Sequence, residues 1–336
     1  MTYCVTDRRK FGRQDWSTTV LSFGSVPIGN MGRAMSAGEA EGVIEHAWAA
    51  GVRLFDTAPM YGHGLAESRL GSGLADVDRG SYALITKVGR RLSAAPLDSF
   101  DSAPWVNVPA MKLEYDYSYD GVMRQVEDSL QRMATDRFDV LLVHDTDRWT
   151  HGAEQPQRFR EALGGAFKAL VSLRDEGVVR AIGIGVNEVD VCLAAANAVD
   201  IDCMLIAGTH TLLDQEAALE LLPLCQSRGI AVVNGRVFGS GILATGSTPG
   251  ARFDYARAGD EVLSKVRAIE EICQLHDVPL GAAAVQFAAK HPAIVSVCLG
   301  ARTVVQQQQN YDWFEQEIPD DLWEDLRTAN LLAEHR

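Results

Sequence analysis

The chain lacks the short motifs that would settle several function classes at once. No C-x-x-C pair occurs. The six cysteines stand singly at Cys4, Cys192, Cys203, Cys225, Cys273 and Cys298, against zinc ribbons and thiol redox motifs. Cys203 and Cys298 lie in apolar runs and read as buried free thiols, and this usage fits a reducing cytoplasm. G-x-G-x-x-G and the P-loop are both missing; Gly183-Ile184-Gly185 is followed by Val186-Asn187-Glu188, without the third glycine. The eight histidines include no H-x-H pair, which argues against a metal-dependent hydrolase, and no metal is expected. No apolar stretch reaches the about 18 residues of a membrane span. The opening Met1 to Gln14 is polar and basic, unlike a signal peptide. A net charge of -14 disfavours a nucleic-acid partner and fits a soluble protein.

What the chain has is apolar material in short, regularly spaced runs. Hydrophobic residues make up 47% of 336 residues, ample for a large core. Strands are expected at Val20 to Phe23, Leu54-Phe55, Tyr82 to Thr86, Phe138 to Val143, Arg180 to Ile184, Cys203 to Ile206, Ile230 to Val233 and Ile294 to Leu299. Helices are expected between most of them. One opens on the capping box Ser36-Ala37-Gly38-Glu39 and stops at Gly51. Others run from Ala66 to Ala75, Asp120 to Thr135, Phe159 to Glu176, Val189 to Ala198, Glu216 to Arg228, Asp260 to His276 and Gly281 to Lys290. Near-continuous apolar strands imply a parallel sheet covered by helices on its outer face. Eight such units close a (β/α)8 TIM barrel, expected here as one domain over residues 1–336. The alternative, a doubly wound open sheet, would want the missing dinucleotide fingerprint.

Two segments break the rhythm. Arg90 to Tyr119 is long, aromatic and proline-containing, and Gly239 to Gly259 is rich in Gly and Ser. Both follow strand ends, so both should stand on the C-terminal rim as binding walls.

The same rim collects charge. Asp56 follows the second strand, Lys87 the third and His144 the fourth, with Tyr61 on the loop after Asp56. Singly, each has a plain structural reading: a turn former, a snorkelling lysine, a satisfied core histidine. Three adjacent strands ending in three different ionisable groups argue for a site. A phenol titrates near 10, and a neighbouring ammonium should lower that value. A carboxylate would hold the ammonium, and an imidazole could bind a carbonyl or alkoxide oxygen. The set is suited to proton transfer on a carbonyl/alcohol pair, with hydride supplied by a cofactor. A Schiff base on Lys87 is the competing enzyme reading.

Phe55-Asp56-Thr57-Ala58-Pro59-Met60-Tyr61-Gly62, with Lys87 and His144, resembles the aldo-keto reductase family, as does the Gly-rich segment after strand seven. The likeness covers nearly the whole chain. It implies a (β/α)8 barrel that binds a nicotinamide cofactor without a Rossmann domain, with Asp56, Tyr61, Lys87 and His144 as catalytic tetrad. Asp116-Tyr117-Ser118-Tyr119-Asp120-Gly121, Gly185-Val186-Asn187-Glu188 and Leu212-Leu213-Asp214-Gln215 are similar to the aldose and L-fucose dehydrogenases and pyridoxal 4-dehydrogenases. That narrower resemblance implies oxidation of a cyclic hemiacetal to a lactone. The alternatives are pyridoxal 4-dehydrogenation, general aldehyde or ketone reduction, or a non-catalytic nicotinamide-binding regulatory subunit.

The resemblance also implies cofactor contacts. Asn187 stands where the family holds the nicotinamide amide. The usual glutamine after strand six falls at Ala207, and the usual stacking tyrosine after strand seven at Gly235. Phe238 is the candidate replacement wall, core packing being the other reading. Gly239, Ser240 and Gly241 are expected at the cofactor, and Arg302, Gln306, Gln309 and Asn310 at its adenosine end. With Gln306 at a position often held by arginine, and Arg302 the only basic residue in its segment, NAD is expected over NADP. Trp105 and His210, with Trp149, are candidates for lining the substrate pocket, though each also has a structural reading.

Overall fold

The computed structural model describes residues 3–96 and 100–333. Its centre is a closed barrel of eight parallel strands: β1 (Leu21–Gly24), β2 (Leu54–Asp56), β3 (Ala83–Val88), β4 (Val140–His144), β5 (Ala181–Val186), β6 (Cys203–Ala207), β7 (Ala231–Gly235) and β8 (Ile294–Leu299). Neighbours pair in chain order, and β8 closes on β1 through Val297 opposite Leu21. The expected eight strands are all present. Their ends differ by a residue or two, and β3 continues through Lys87 to Val88.

Alternation along each strand decides what faces the axis. Leu54, Ala83, Ile85, Val140, Leu142, Ala181, Cys203, Leu205, Ala231 and Val233 pack together inside the barrel. Phe23, Phe55, Leu84, Leu141, Ile182, Met204 and Val232 point outward beneath the helices. Two residues on from the inner set come Asp56, Lys87, His144, Ala207 and Gly235, and on β5 the same alternation runs from Ala181 through Gly183 to Gly185. Period two therefore places three ionisable side chains and three small residues in the uppermost inner layer. A Cβ at Gly185 would stand in ordinary contact with the lysine stem, 3.5 Å from Lys87 Cε.

The helix from Ala37 to Ala49 begins as expected, with the Ser36 side chain and Glu39 capping each other's backbone. The helix expected from Phe159 to Glu176 is two, Gln155–Gly164 and Ala166–Asp175. They meet at Gly165, where a Cβ would lie 2.4 Å from the Tyr117 carbonyl oxygen. Glu216–Leu219 and Leu221–Arg228 are likewise separate. Val304–Glu315 and Asp320–Thr328 extend the helical shell beyond β8.

Three small hairpins were not legible as strands. Arg8–Lys10 with Ser17–Thr19 carries Phe11 and Trp16, stacked at 4.2 Å, into the barrel's lower end. Arg90–Ala94 pairs with Met111–Tyr115, so the expected long loop is mostly a β-arm, of which residues 97–99 lie outside the described residues. Arg252–Phe253 pairs with Ala256–Arg257 within the Gly239 to Gly259 segment. Among the described residues, no helix is long and apolar enough to cross a membrane.

Candidate active site

Lys87 is 1% exposed and donates to Asp56 Oδ1 at 2.7 Å and to the Thr57 carbonyl at 2.8 Å. An ion pair this buried holds only because both partners are present and hydrogen-bonded. Burial pushes the Asp56 carboxyl up from its ordinary value, and the Lys87 charge opposes that. With its donors committed to these two acceptors, Lys87 is poorly arranged as a Schiff-base amine.

Tyr61 is half-buried on the loop after β2, and the Lys87 ammonium lies 4.7 Å from the centre of its ring. The Tyr61 and His144 rings meet edge to face at 6.0 Å. The expected lowering of the phenol's pKa does not occur. Burial raises it well above 10, and the Asp56 and Asp145 carboxylates add to the rise. The reason is orientation: Lys87 is drawn to Asp56 and Thr57 and meets the ring's face.

His144 is held neutral. Burial depresses its pKa well below 6.5, and the nearby Arg90 and Lys87 charges depress it further. Its Nε2 is 3.3 Å from Asp145 Oδ2, and its buried Nδ1 has no hydrogen-bond partner among the described residues. A neutral imidazole still donates one N–H, which is what binding a substrate oxygen requires.

Two charged residues at this centre escaped the sequence reading. Arg90 starts the β-arm and donates to Asp145 Oδ2 at 2.5 Å, with its guanidinium 5.2 Å from the Tyr115 ring. Asp145 follows His144 directly, in a left-handed conformation with φ 48°. Tyr117 Oη lies 2.9 and 3.0 Å from the His144 and Asp145 carbonyls and fixes that turn. The signals available were Asp145 beside a candidate histidine and Arg90 three residues past a candidate lysine.

Trp105 is buried with its ring 6.2 Å from that of Tyr61. It lines a cavity of about 500 Å3 under the β-arm with Met60, His63, Arg90, Phe100 and Leu113. His210 is elsewhere. It is fully buried and stacked at 4.9 Å on Phe287, and it lines neither this cavity nor the second one. The stacking on Phe287 matches the structural reading of His210.

Asn187 lines a second cavity, of about 360 Å3, together with Trp149, Thr209 and Arg236. Its amide donates to Asp147 Oδ2 at 2.9 Å, leaving its own oxygen available. Beside it, Arg236 donates to the Ala207 carbonyl and reaches Asp254 at 3.3 Å. The guanidinium thus occupies space near the two small residues, Ala207 and Gly235, that stand for larger side chains in the resemblance. Phe238 packs edge-on against Trp313 at 5.8 Å and joins both outer core clusters, the core-packing alternative. Gly239–Gly241 is a 3-10 turn with φ of 54°, 61° and 107°, and nothing would meet a Cβ at Gly241.

At the end of β8, Arg302 donates to the Met31 carbonyl at 2.6 Å, while its Nη1 is buried without a partner. The Gln306 side chain accepts from the Arg302 backbone N–H, Gln309 is exposed and Asn310 is buried. Burial, and after it the nearby Arg33 charge, lowers Arg302's pKa, so Arg302 is not alone there, though Arg33 also faces Glu39 at 3.6 Å. An unpartnered buried guanidinium nitrogen, an open glycine turn and uncharged amides fit the phosphate and ribose portions of a dinucleotide. Among the described residues, no His/Cys/Asp/Glu cluster could hold a metal ion.

Comparisons with known proteins agree with this arrangement. The model of the aldo/keto reductase family matches residues 20–330. A pyridoxal 4-dehydrogenase of Microbacterium luteolum is 40% identical over 341 residues, covering 98% of this chain and 99% of that protein. A D-threo-aldose 1-dehydrogenase of a Pseudomonas species is 38% identical over 317 residues, covering 93% and 94%. In fold, the chain is similar to an aldo-keto reductase from Bacillus halodurans in its holo form. The TM-score is 0.73 with 23% identity over 98% of this chain and 97% of that one.

Proposed function

We propose that this chain, which belongs to the aldo/keto reductase family, oxidises the cyclic hemiacetal of a sugar to its lactone. It is an oxidoreductase acting on CH–OH groups, of a family that binds nicotinamide cofactors. The observation that carries the finer reading is the meeting of Tyr61 with a neutral His144 beside the buried Lys87–Asp56 pair.

In this reading the hemiacetal hydroxyl sits between Tyr61 and His144. A His144 ring N–H holds the oxygen, and the Tyr61 phenolate takes its proton as the adjacent C–H bond breaks. A nicotinamide held here would supply the hydride acceptor. Lys87, pinned by Asp56 and Thr57, keeps a positive charge against the face of the phenol ring. Asn187, the Gly239–Gly241 turn, Arg302, Gln306, Gln309 and Asn310 are the proposed holders of the dinucleotide, Phe238 contributing only through packing. Trp105 closes the substrate side. NAD is preferred, because Gln306 cannot match a 2'-phosphate and Arg33 shares its charge with Glu39. A second reading, pyridoxal as substrate, is favoured by the relative 40% identical to this chain.

The test is cofactor reduction measured over L-fucose, D-arabinose, L-galactose and pyridoxal, each with NAD and with NADP. Turnover of an aldose with a higher kcat/KM on NAD is expected. Turnover of pyridoxal alone would replace the substrate, and a preference for NADP would reject the cofactor assignment. Tight NAD binding with no turnover of any of the four would favour a regulatory, non-catalytic role.

A further inference from the structure

The Arg90–Asp145 pair has no part in the mechanism above, yet it borders the reacting groups. Asp145 Oδ2 is within 2.5 Å of Arg90 Nη2 and 3.3 Å of His144 Nε2, so the carboxylate stands one hydrogen bond from the histidine that would hold the reacting oxygen. Its other oxygen, Oδ1, makes no hydrogen bond among the described residues. Arg90 lines the cavity under the β-arm, and its buried Nε has no hydrogen-bond partner.

Nothing in core packing asks for this. A charged pair costs desolvation wherever it is buried, and Asp145 also holds a left-handed backbone, which a non-glycine residue adopts at some cost. Tyr117 buttresses both carbonyls of that turn, and Tyr115 covers the guanidinium. The surroundings thus hold in place an acceptor and a donor, side by side, the donor Arg90 lining the cavity and the acceptor Asp145 lying behind it against His144.

An adjacent acceptor and donor match a hydroxyl group, which donates once and accepts as well. Two oxygens on neighbouring carbons of a sugar ring lie within hydrogen-bond reach of each other, the same kind of spacing that separates His144 Nε2 from Asp145 Oδ2. We propose that Asp145 and Arg90 form a subsite for the hydroxyl on the carbon next to the reacting hemiacetal carbon, and so select polyhydroxylated aldoses. The hydroxyl donates to Asp145 and accepts from Arg90, while the apolar Trp105 side offers a face for the ring. Pyridoxal has no hydroxyl on the carbon next to its hemiacetal carbon; its phenol stands one carbon further and, when ionised, could only accept and would be repelled by Asp145, so the subsite ranks sugars above pyridoxal.

This rests on the hemiacetal reading, and its test separates the two. The measurement is kcat/KM with NAD on L-fucose and 2-deoxy-L-fucose, for the wild type and for Asp145→Ala. The wild type should prefer L-fucose by about ten- to a hundredfold, the worth of a hydrogen bond to a charged group. In Asp145→Ala the ratio should fall to parity. An unchanged ratio in the variant, or no preference in the wild type, overturns the proposal while leaving hemiacetal oxidation standing. No turnover of any aldose by a wild type that reduces a simple aldehyde overturns both. If Asp145→Ala does not fold, as read by thermal unfolding, 2-O-methyl-L-fucose replaces it as the probe on the wild type. Its ether oxygen accepts and cannot donate, so it should be as poor as the 2-deoxy sugar; good turnover overturns the proposal.

Discussion

The two ends of the barrel both bury carboxylates, and they treat them differently. At the lower end, Asp139 accepts from Arg79 at 2.7 Å and from the Leu84 N–H at 3.0 Å. Asp202 accepts from Arg13, Gln14, Arg174 and the Ile182 N–H, so both of its oxygens are occupied. At the upper end, Asp147 is saturated by the Thr150 and Asn187 N–H groups and the Asn187 amide, but among the described residues Asp56 has one hydrogen-bonding side chain, Lys87, and Asp145 has Arg90, with His144 at a looser 3.3 Å. Burial raises the pKa of Asp56 and Asp145. A carboxylate saturated with donors fastens strands and loops together. A carboxylate left short of donors keeps capacity for something else, at a cost in stability that only a function would retain.

The comparison is tested most severely at Tyr61, which Phe can replace in its packing against the core but not in its chemistry. Tyr61→Phe should lower kcat by about 10²-fold or more, the usual worth of general acid–base catalysis. Cofactor affinity, read by quenching of tryptophan fluorescence, should be nearly unchanged. Turnover close to wild type would remove Tyr61 from the mechanism.

The lower end should respond in the opposite way. Asp202→Ala leaves two arginines and a backbone N–H without their acceptor, and should cost about 2–3 kcal/mol of stability. The arginines are partly exposed, which keeps the loss below that of a fully buried pair. Urea unfolding should show a lower midpoint, while kcat/KM of the folded protein stays as in the wild type. A catalytic defect without a stability loss would mean that the two ends are not divided as argued.

Much of this division could be read from the sequence, because one physical rule produced it. A buried strand alternates, so an ionisable residue two positions beyond an inward apolar one lands in the top layer. Asp56, Lys87 and His144 all obey this. The β-arm did not announce itself: Arg90-Arg91-Leu92-Ser93-Ala94 is a mixed, partly exposed run whose pairing is set by its partner at Met111–Tyr115. Arg90 and Asp145 were illegible for the same reason, since only folding the arm over β4 brings them together. Lys87's effect on Tyr61 was misread because spacing shows which groups meet and not which atom faces which. The same limit applies to His210, whose stacking on Phe287 strand spacing does not show.

The last effect is in pH, and its sign follows from Tyr61 and His144. Oxidation needs the Tyr61 phenolate, and burial with two nearby carboxylates holds the phenol's pKa well above 10. Below that pKa each unit of pH lowers the phenolate fraction tenfold. The rate of lactone formation should therefore climb about tenfold per unit from pH 7 to 9 where proton transfer limits it. Reduction of an aldehyde uses the protonated phenol and should be flat over the same range. His144, held neutral by burial and by Arg90, should add no acidic limb between pH 6.5 and 8. Log kcat/KM plotted against pH in both directions checks this. A break near 6.5 in the oxidation profile would mean that His144 takes up a proton, as an exposed histidine would. A plateau for oxidation by pH 8 would mean that Lys87 turns toward the phenol oxygen when cofactor binds, bringing the upper end closer to the saturated pattern of the lower one.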